Sequence, residues 1–178
     1  GFPVFVKPVK AGSSFGITKV VTMEQLPQAI AFAFQYDNRV ILEEAIGGFE
    51  VGCAVCGRDS LIVGEIDEIE LNETNSSDGF FDFTEKYTLK TSAIHVPARI
   101  SAEKAQEIKE VAKRIYHALD CAGFARVDMF VTLKGEIVFN EVNTIPGFTE
   151  HSRYPRMMQA AGYGFAEIVN RIIGQAFK

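Results

Sequence analysis

The chain has 178 residues, 47% of them hydrophobic and 23% charged, which is typical of a globular protein large enough for one core or two small lobes. Eighteen Lys and Arg against 23 Asp and Glu give a net charge of −5, which argues against nucleic acid or an anionic membrane as the main partner. The longest apolar run, at 29–34, is far short of the roughly 20 residues that a transmembrane helix needs.

The first part of the chain is predicted to combine short strands with one helix. It opens without methionine and already inside a strand, so we expect it to be part of a longer protein. Thr22 and Gln25 have the spacing of a capping box for a helix that reaches about Tyr36, with Pro27 delaying the first regular turns. The predicted strands lie at 2–7, 17–21, 39–43, 49–57 and 60–69.

The second part begins with an irregular segment at 71–90, where polar residues mix with aromatics. A loop this long is typical of a functional lid or a disordered segment, and the aromatics favour a lid. Ser101 then begins a helix with one apolar face, formed by Ile108, Val111, Ala112, Ile115, Tyr116 and Leu119. Strands at 124–133 and 136–142 follow, and a last helix carries Phe165, Ile168, Val169, Ile172 and Ile173. This order predicts an α+β fold with largely antiparallel sheets.

The three cysteines are too few and odd in number for a disulfide framework, which favours a reducing, cytoplasmic compartment. Cys53 and Cys56 form a C-x-x-C pattern inside a predicted strand, so their side chains should point to opposite faces of a sheet. We therefore interpret them as buried hydrophobic residues rather than as a zinc or redox pair.

Lys134 and Gly135 separate two strands and predict a hairpin with a two-residue loop. That loop sets a register in which Asp128 lies directly opposite Glu141, and Arg126 opposite Asn143. Strand alternation then places all four of these side chains on one face of the sheet.

Two facing carboxylates repel each other, so a shared proton, the neighbouring arginine or a divalent cation must offset their charge. Oxygen ligands without a histidine suit Mg²⁺ better than zinc. The alternative is a solvated polar face with Arg126 as a surface counterion. We favour the metal because this face should also carry Phe124, Phe130 and Phe139.

The loop after the first strand has the composition of a phosphate-binding loop. Gly12 and Gly16 surround Ser13 and Ser14, and Lys7 at the strand end adds a positive charge. The loop matches neither the P-loop nor the dinucleotide fingerprint, and alone it could be an ordinary turn. Because ATP sites need both a phosphate loop and a Mg²⁺ cluster, the two together point to ATP.

Two further segments contain candidate binding groups. The strand at 40–46, followed by Glu50, could offer backbone groups to a base and a carboxylate to a ribose. The irregular stretch at 144–154 follows a charged strand, and its backbone N–H groups, hydroxyls and Arg153 could hold a small carboxylate. Alternatively, the second segment is an ordinary surface loop.

These features together resemble the ATP-grasp enzymes and, more closely, the D-alanine–D-alanine ligase family, over essentially the whole chain. The most specific runs are those at 7–16, 123–128 and 140–147. The resemblance implies an ATP-grasp fold, α+β, with mostly antiparallel sheets and flanking helices. Residues 1–70 would form part of the central lobe, with the phosphate loop and the adenine strand, and 71–178 the lid and the C-terminal catalytic lobe. An N-terminal substrate domain would lie outside this sequence.

For the nucleotide, the resemblance implies that Lys7 holds ATP phosphates, that Ser14 lies in the closing phosphate loop, and that Lys86 reaches the phosphates from the lid. Glu50 would bind the ribose. The residues that would line the adenine strand are Glu43, Glu44 and Ile46.

For the chemistry, the resemblance implies two Mg²⁺ or Mn²⁺ ions, whose ligands would be Asp128, Glu141 and Asn143. Arg126 and the Gly147 N–H would stabilise the tetrahedral intermediate, and Ser152 would bind the carboxylate of the second substrate. Ser13 and Tyr87 would belong to a hydrogen-bonded group that pins the lid. The carboxylate of D-alanine would attack ATP to give an acyl phosphate, from which the second substrate displaces phosphate.

The identity of the second substrate depends on two local resemblances. Lys86 and Tyr87 are similar to the amine-using ligases, whereas the D-lactate-using branch has a histidine in this segment. The run at 151–158 is similar to the vancomycin-resistance ligases. We therefore favour D-alanine–D-serine ligation, for peptidoglycan precursors and glycopeptide resistance, with D-alanine–D-alanine ligation as the alternative.

The resemblance further implies a cytoplasmic enzyme that is a homodimer when full length and acts on small molecules, without nucleic acid or membrane. The rival interpretations are another ATP-grasp carboxylate–amine ligase, such as a carboxylase subunit, and a non-catalytic Mg-ATP-binding domain. The first should differ through 144–156, and the second should bind Mg·ATP without turnover.

Overall fold

The computed structural model describes residues 1–71 and 92–177, without the side chains of Leu71 and Ser92. It divides into two compact units, one of Gly1–Gly47 with Leu71–Ala93 and the other of Gly48–Glu70 with Ile94–Lys178. Apart from its first residue, the lid predicted at 71–90 lies outside the described residues, and so do Lys86 and Tyr87. Within the described part, no helix is both long and apolar enough to span a membrane.

The first unit is a small antiparallel sheet covered by one helix. Its strands, in spatial order, are β2 (Thr18–Val20), β1 (Val4–Pro8) and β3 (Val40–Glu44), and its helix is α1 (Leu26–Ala33). The predicted capping box is present, and it precedes a short 3₁₀ turn rather than the α-helix itself. Pro27 lies in the first turn of α1, where its missing N–H costs nothing. The core consists of Val6, Val20, Ala29 and Ala33.

The second unit is a five-stranded sheet with helices on both faces. Its strands are β4 (Gly48–Gly57), β5 (Leu61–Leu71), β6 (Ser92–His95), β7 (Gly123–Thr132) and β8 (Ile137–Asn143), in the order β6-β5-β4-β7-β8. The helices are α2 (Ala102–Ala118), α3 (Arg153–Ala160) and α4 (Phe165–Gln175). Ser101 caps α2 as predicted, because its hydroxyl accepts a hydrogen bond from the Lys104 N–H at 3.2 Å.

The two faces of this sheet have separate hydrophobic clusters. On one face, Ile108, Ala112 and Tyr116 of α2 pack against alternate residues of the central strands. On the other face, α3 and α4 cover Ala54 and Cys56. Cys53 belongs to the first cluster and Cys56 to the second, which confirms that the C-x-x-C pair is two buried residues on opposite faces.

Two predictions about the helices need correction. Leu119, assigned to the apolar face of α2, is 53% exposed because it follows the last helical residue. The stretch predicted to be irregular up to Tyr154 already contains the start of α3, whose buried residues include Tyr154, Met157 and Met158.

The charged hairpin has the predicted central pairs but a different loop. Near the turn, Met129 pairs with Phe139, whereas Asp128 pairs with Glu141, so Asn140 is an extra residue that forms a β-bulge. The loop is also one residue longer than predicted, since the Thr132 N–H donates to the Glu136 carbonyl. The two differences cancel at Asp128. They do not cancel at Phe139. This residue pairs with Met129, so it lies on the face of the sheet opposite Asp128, whereas the prediction put it on the same face as Asp128.

Candidate functional site

A row of acidic residues crosses the sheet of the second unit. Asp67 on β5 pairs with Gly52 on β4, Gly52 pairs with Asp128 on β7, and Asp128 pairs with Glu141 on β8. Residues that are directly opposite in neighbouring strands point to the same face, so three carboxylates lie in one line with a glycine among them. This face is the one that α3 covers further along the sheet.

Asp128 is the most heavily contacted carboxylate of the predicted metal site. It is only 1% exposed, and Arg126 holds it with two hydrogen bonds, Nε to Oδ1 at 2.8 Å and Nη2 to Oδ2 at 2.7 Å. The Asn143 Nδ2 donates to Oδ2 at 2.7 Å and lies 3.4 Å from the Glu141 Oε1. The structure therefore brings together all four residues that the hairpin register predicted.

The donor set fits a hard divalent cation. Both carboxylates converge on one atom, the Asn143 Nδ2, and rotation of that amide would present its oxygen in the same place. Two carboxylates and an amide oxygen are ligands that suit Mg²⁺ or Mn²⁺. Among the residues that the structure describes, no group of three or more His, Cys, Asp or Glu side chains could hold a metal, so the asparagine is needed to complete this set.

Arg153, the first residue of α3, lies over the glycine in this row. Its Nε and Nη2 donate to the two oxygens of Asp67 at 2.7 and 2.8 Å, and its Nη1 donates to the Glu50 Oε1 at 3.2 Å. Its Nη2 is also 3.7 Å from the Asp128 Oδ1. Three carboxylates of the protein thus surround the guanidinium, and the expected contact of Arg153 with a small external carboxylate stays a prediction.

The electrostatics of the row keep Asp67 ionised. Burial of Asp67 acts to raise its pKa, but the charge and hydrogen bonds of Arg153, the charge of Arg126 and the Gly52 N–H together lower it below its ordinary value. For Arg153, burial acts to lower the pKa, and the surrounding carboxylates, Asp67 first, raise it well above its ordinary value. The ion pair is therefore charged on both sides throughout the physiological range.

Gly147, predicted to stabilise the tetrahedral intermediate, lies next to Ser152, predicted to bind the carboxylate of the second substrate. A methyl group in place of the Gly147 hydrogen would stand 3.1 Å from the Ser152 Oγ. That hydroxyl accepts the Thr149 N–H at 3.0 Å and lies 2.8 Å from the Thr149 hydroxyl. The loop before α3 thus holds the serine hydroxyl in a fixed position beside an exposed glycine.

The predicted nucleotide residues of the first unit lie on neighbouring strands. Lys7 on β1 forms an ion pair with Glu43 on β3. In the loop that follows β1, Ser13 and Ser14 have φ angles of 58° and 62°, a conformation that residues other than glycine rarely adopt. Such a backbone is held in place by its surroundings and is found preferentially at binding loops.

The remaining predicted nucleotide residues are divided between the units. Glu44 is exposed at the end of β3, and Ile46 is half-buried in the segment that follows it. Glu50 belongs to the second unit, where it forms an ion pair with Arg153. The roles of these residues toward ATP stay predictions.

Sequence reasoning missed Asp67 and Gly52. Asp67 is one of four acidic residues of β5, and in such a strand each of them looks like an ordinary solvent-facing residue. Only the register between β5 and β4 shows that it shares a row with Asp128, and no local motif fixes that register. A glycine inside an otherwise apolar strand is a signal of close approach, and Gly52 could have been identified by it.

Comparison with known proteins finds a matching family and named relatives. Residues 1–174 match the family described as D-ala D-ala ligase C-terminus. The chain is 49% identical over 182 residues to the vancomycin/teicoplanin A-type resistance protein VanA of Enterococcus faecium, covering 99% of this chain and 52% of that protein. It is 46% identical over 178 residues to the D-alanine–D-alanine ligase of Chlorobium luteolum, covering 99% of this chain and 48% of that one.

Among solved structures, the VanG D-Ala:D-Ser ligase from Enterococcus faecalis matches with a TM-score of 0.87 and 61% sequence identity. The match covers 98% of this chain and 49% of that chain. The chain therefore spans about half the length of the relatives that it matches.

Proposed function

The chain belongs to the D-alanine–D-alanine ligase family, with its ATP-grasp fold, and from this premise we propose that it carries the ATP and Mg²⁺ sites of a ligase that joins D-alanine to D-serine. The observation that carries the proposal is the convergence of Asp128 and Glu141 on Asn143 beside Arg126. A cation there would neutralise phosphate charge.

The residues of the chain supply the other parts of such a site. Lys7 offers a positive charge to ATP phosphates from the end of β1, and the loop of Ser13 and Ser14 offers hydroxyls and backbone N–H groups. Arg126 lies beside the proposed metal ligands, where it would stabilise the negative charge that develops on the acyl oxygen in the tetrahedral intermediate. The Gly147 N–H would act on the same oxygen, and Ser152 would hold the carboxylate of the second amino acid.

The choice of D-serine rests on the relatives. The VanG D-Ala:D-Ser ligase is 61% identical to this chain, whereas VanA and the Chlorobium luteolum D-alanine–D-alanine ligase are 49% and 46% identical. A similar local sequence supports a similar second-substrate site. D-alanine–D-alanine ligation is the second candidate, because the amine-using enzymes share the predicted chemistry.

The deciding experiment is a competition assay on the complete protein that contains this chain. With ATP and Mg²⁺, D-alanine is offered together with equal amounts of D-serine and D-lactate, and the products are separated and quantified by mass spectrometry. We expect ADP release that requires Mg²⁺ and D-alanine, and D-alanyl-D-serine as the main product.

Each other outcome selects a different interpretation. Mostly D-alanyl-D-alanine would give the housekeeping function, and mostly the D-lactate ester would contradict the amine-using assignment. Nucleotide binding without D-alanine-stimulated ADP release would leave only a Mg-ATP-binding domain or a different carboxylate–amine ligase.

A further inference from the structure

The buried pair of Asp67 and Arg153 is not explained by any role that the proposed reaction needs. Asp67 is fully buried, 0% exposed, and it accepts hydrogen bonds from Arg153 on both oxygens and from the Gly52 N–H at 2.8 Å. Burial of two charges is expensive and does not by itself favour folding over an apolar pair. The pair therefore calls for a role in placing something else.

The absence of a side chain at Gly52 makes room for this pair. A methyl group on Gly52 would stand 2.5 Å from the Asp67 Oδ1, 2.6 Å from the Arg153 Nη2 and 3.1 Å from the Asp128 Oδ1. Its backbone is not in the left-handed region, so the glycine is needed for space rather than for conformation. The guanidinium thus occupies the volume that any other side chain would take, between two aspartates.

We infer that Asp67 and Gly52 are positioning residues. They hold the Arg153 guanidinium against Asp67, so that Arg153 does not form a close ion pair with Asp128, the proposed metal ligand. Arg153 makes its two shortest contacts with Asp67, at 2.7 and 2.8 Å, and approaches Asp128 only to 3.7 Å. This inference rests on the proposed function, because it takes Asp128 to be a metal ligand.

The physical consequence is a competition between two cations for one carboxylate. Without the charge of Asp67, Arg153 keeps Glu50 and Asp128 as its carboxylate partners, and the electrostatic gain from closing the 3.7 Å gap is large in a buried site. A metal ion at Asp128 would then have to compete with a second arginine, in addition to Arg126, which already donates to both carboxylate oxygens. Mutation of residues that do not bind the metal but fix the position of its ligands lowers metal affinity about 10- to 100-fold.

The test compares three variants of the complete protein for Mn²⁺ binding, measured by electron paramagnetic resonance in the presence of ATP. Asp67→Asn keeps the shape but removes the charge, and Gly52→Ala displaces the guanidinium by a different route. We expect both to weaken Mn²⁺ binding about tenfold or more. The matched control is Glu68→Gln, a nearly buried carboxylate of the same strand, which is paired with Arg99 and points to the opposite face. It should leave Mn²⁺ affinity within about twofold while also lowering the melting temperature.

A second measurement separates this inference from the proposed function. In the wild-type protein the Arg153 Nε–H, held by Asp67, should exchange slowly with solvent in nitrogen-edited NMR, and in Asp67→Asn and Gly52→Ala it should exchange at least tenfold faster. If Mn²⁺ affinity in both variants equals that of the wild type, or if the Arg153 Nε–H stays protected, the positioning role is wrong. Protection lost as expected in a protein that binds no Mn²⁺ at all would instead overturn the metal site of the proposed function.

Discussion

Asp128 and Glu141 face each other across two strands, but their surroundings differ. Asp128 is buried and held by Arg126, whereas Glu141 is exposed and contacts Asn143. The charge of Asp128 is thus balanced by the protein itself, while that of Glu141 is available to a cation. If the ligands act as proposed, Glu141 should matter for catalysis and little for folding.

Glu141→Gln tests this expectation. The amide keeps the size of the side chain and removes the charge, so we expect turnover to fall on the order of 10³-fold. The melting temperature should stay within about 2 °C, because exposed substitutions rarely change stability by more than about 0.5 kcal/mol. Glu136→Gln, at an exposed position of the same hairpin, is the matched control and should remain active. Near-normal turnover of Glu141→Gln would rule out the two-carboxylate metal site.

The Asp67–Arg153 pair makes a separate prediction about pH. Because the pKa of Asp67 is lower in the folded than in the unfolded protein, its contribution to stability is complete above the unfolded pKa of about 4 and is lost as the pH falls through the folded pKa. At pH 7, Asp67→Asn should lower the free energy of unfolding by about 3 kcal/mol, as expected when a buried pair loses one partner.

Urea titrations of both proteins at pH 7, 5, 4 and 3 give the measurement. The difference in unfolding free energy between wild type and Asp67→Asn should be constant from pH 7 to 5 and then shrink toward pH 3. A difference that stays constant down to pH 3, or that grows, would show that Asp67 is not an ionised partner of Arg153 in the folded protein.

At the scale of elements, the periodic segments were predictable and the compensating irregularities were not. The pairing of Asp128 with Glu141 followed from hairpin arithmetic, yet it holds because a loop longer by one residue is offset by a bulge at Asn140. A bulge has no strong local signature, since it depends on what the partner strand and the covering helices require. The missed bulge leads to one wrong prediction: the central pairs are right, but Phe139 lies on the other face of the sheet from the one predicted.

Helix α3 shows a different limit. Its eight residues include Pro155, which reads as a loop signal, although proline is tolerated in the first turn of a helix. Tyr154, Met157 and Met158 do have helical spacing, but a segment this short gives too few positions to distinguish a helix from a loop. The packing of these side chains on Ala54 and Cys56 stabilises the helix, and that packing is tertiary information.

The loop after β1 can be tested with two of its glycines. Gly16 has a φ of 73°, and a methyl group there would lie 2.6 Å from the Tyr36 ring and 3.1 Å from Pro8. Gly16→Ala should therefore lower the free energy of unfolding by about 1–2 kcal/mol, mainly through the left-handed backbone. If the loop binds phosphate, the KM for ATP should also rise.

Gly12 provides the control within the same loop. A methyl group on Gly12 meets nothing within 4 Å, and its backbone is not in the left-handed region. Gly12→Ala should therefore leave thermal stability nearly unchanged. Equal effects of the two substitutions on melting temperature and on KM would mean that the shape of the loop depends neither on the left-handed backbone of Gly16 nor on its packing against Tyr36.

At the scale of the whole molecule, the question is how much of a ligase these residues contain. Each unit has its own buried cluster, around Val6 in the first and around Val127 and Tyr154 in the second. Separate cores indicate that both units can fold from this sequence. The chain nevertheless covers 52% of VanA and 49% of the VanG structure, and the resemblance assigns the site of the first D-alanine to a domain outside it.

We therefore predict that the 178 residues alone fold but do not ligate. Circular dichroism and urea titration should show cooperative unfolding, which would establish that a negative activity result is not caused by a disordered chain. With ATP, Mg²⁺, D-alanine and D-serine, mass spectrometry should then detect no dipeptide from the chain, whereas the complete protein under the same conditions should form it. Because the proposed metal ligands and Arg126 all lie in this chain, dipeptide synthesis by the chain alone would mean that it also binds the first D-alanine. The assignment of that substrate to a separate domain would then be wrong.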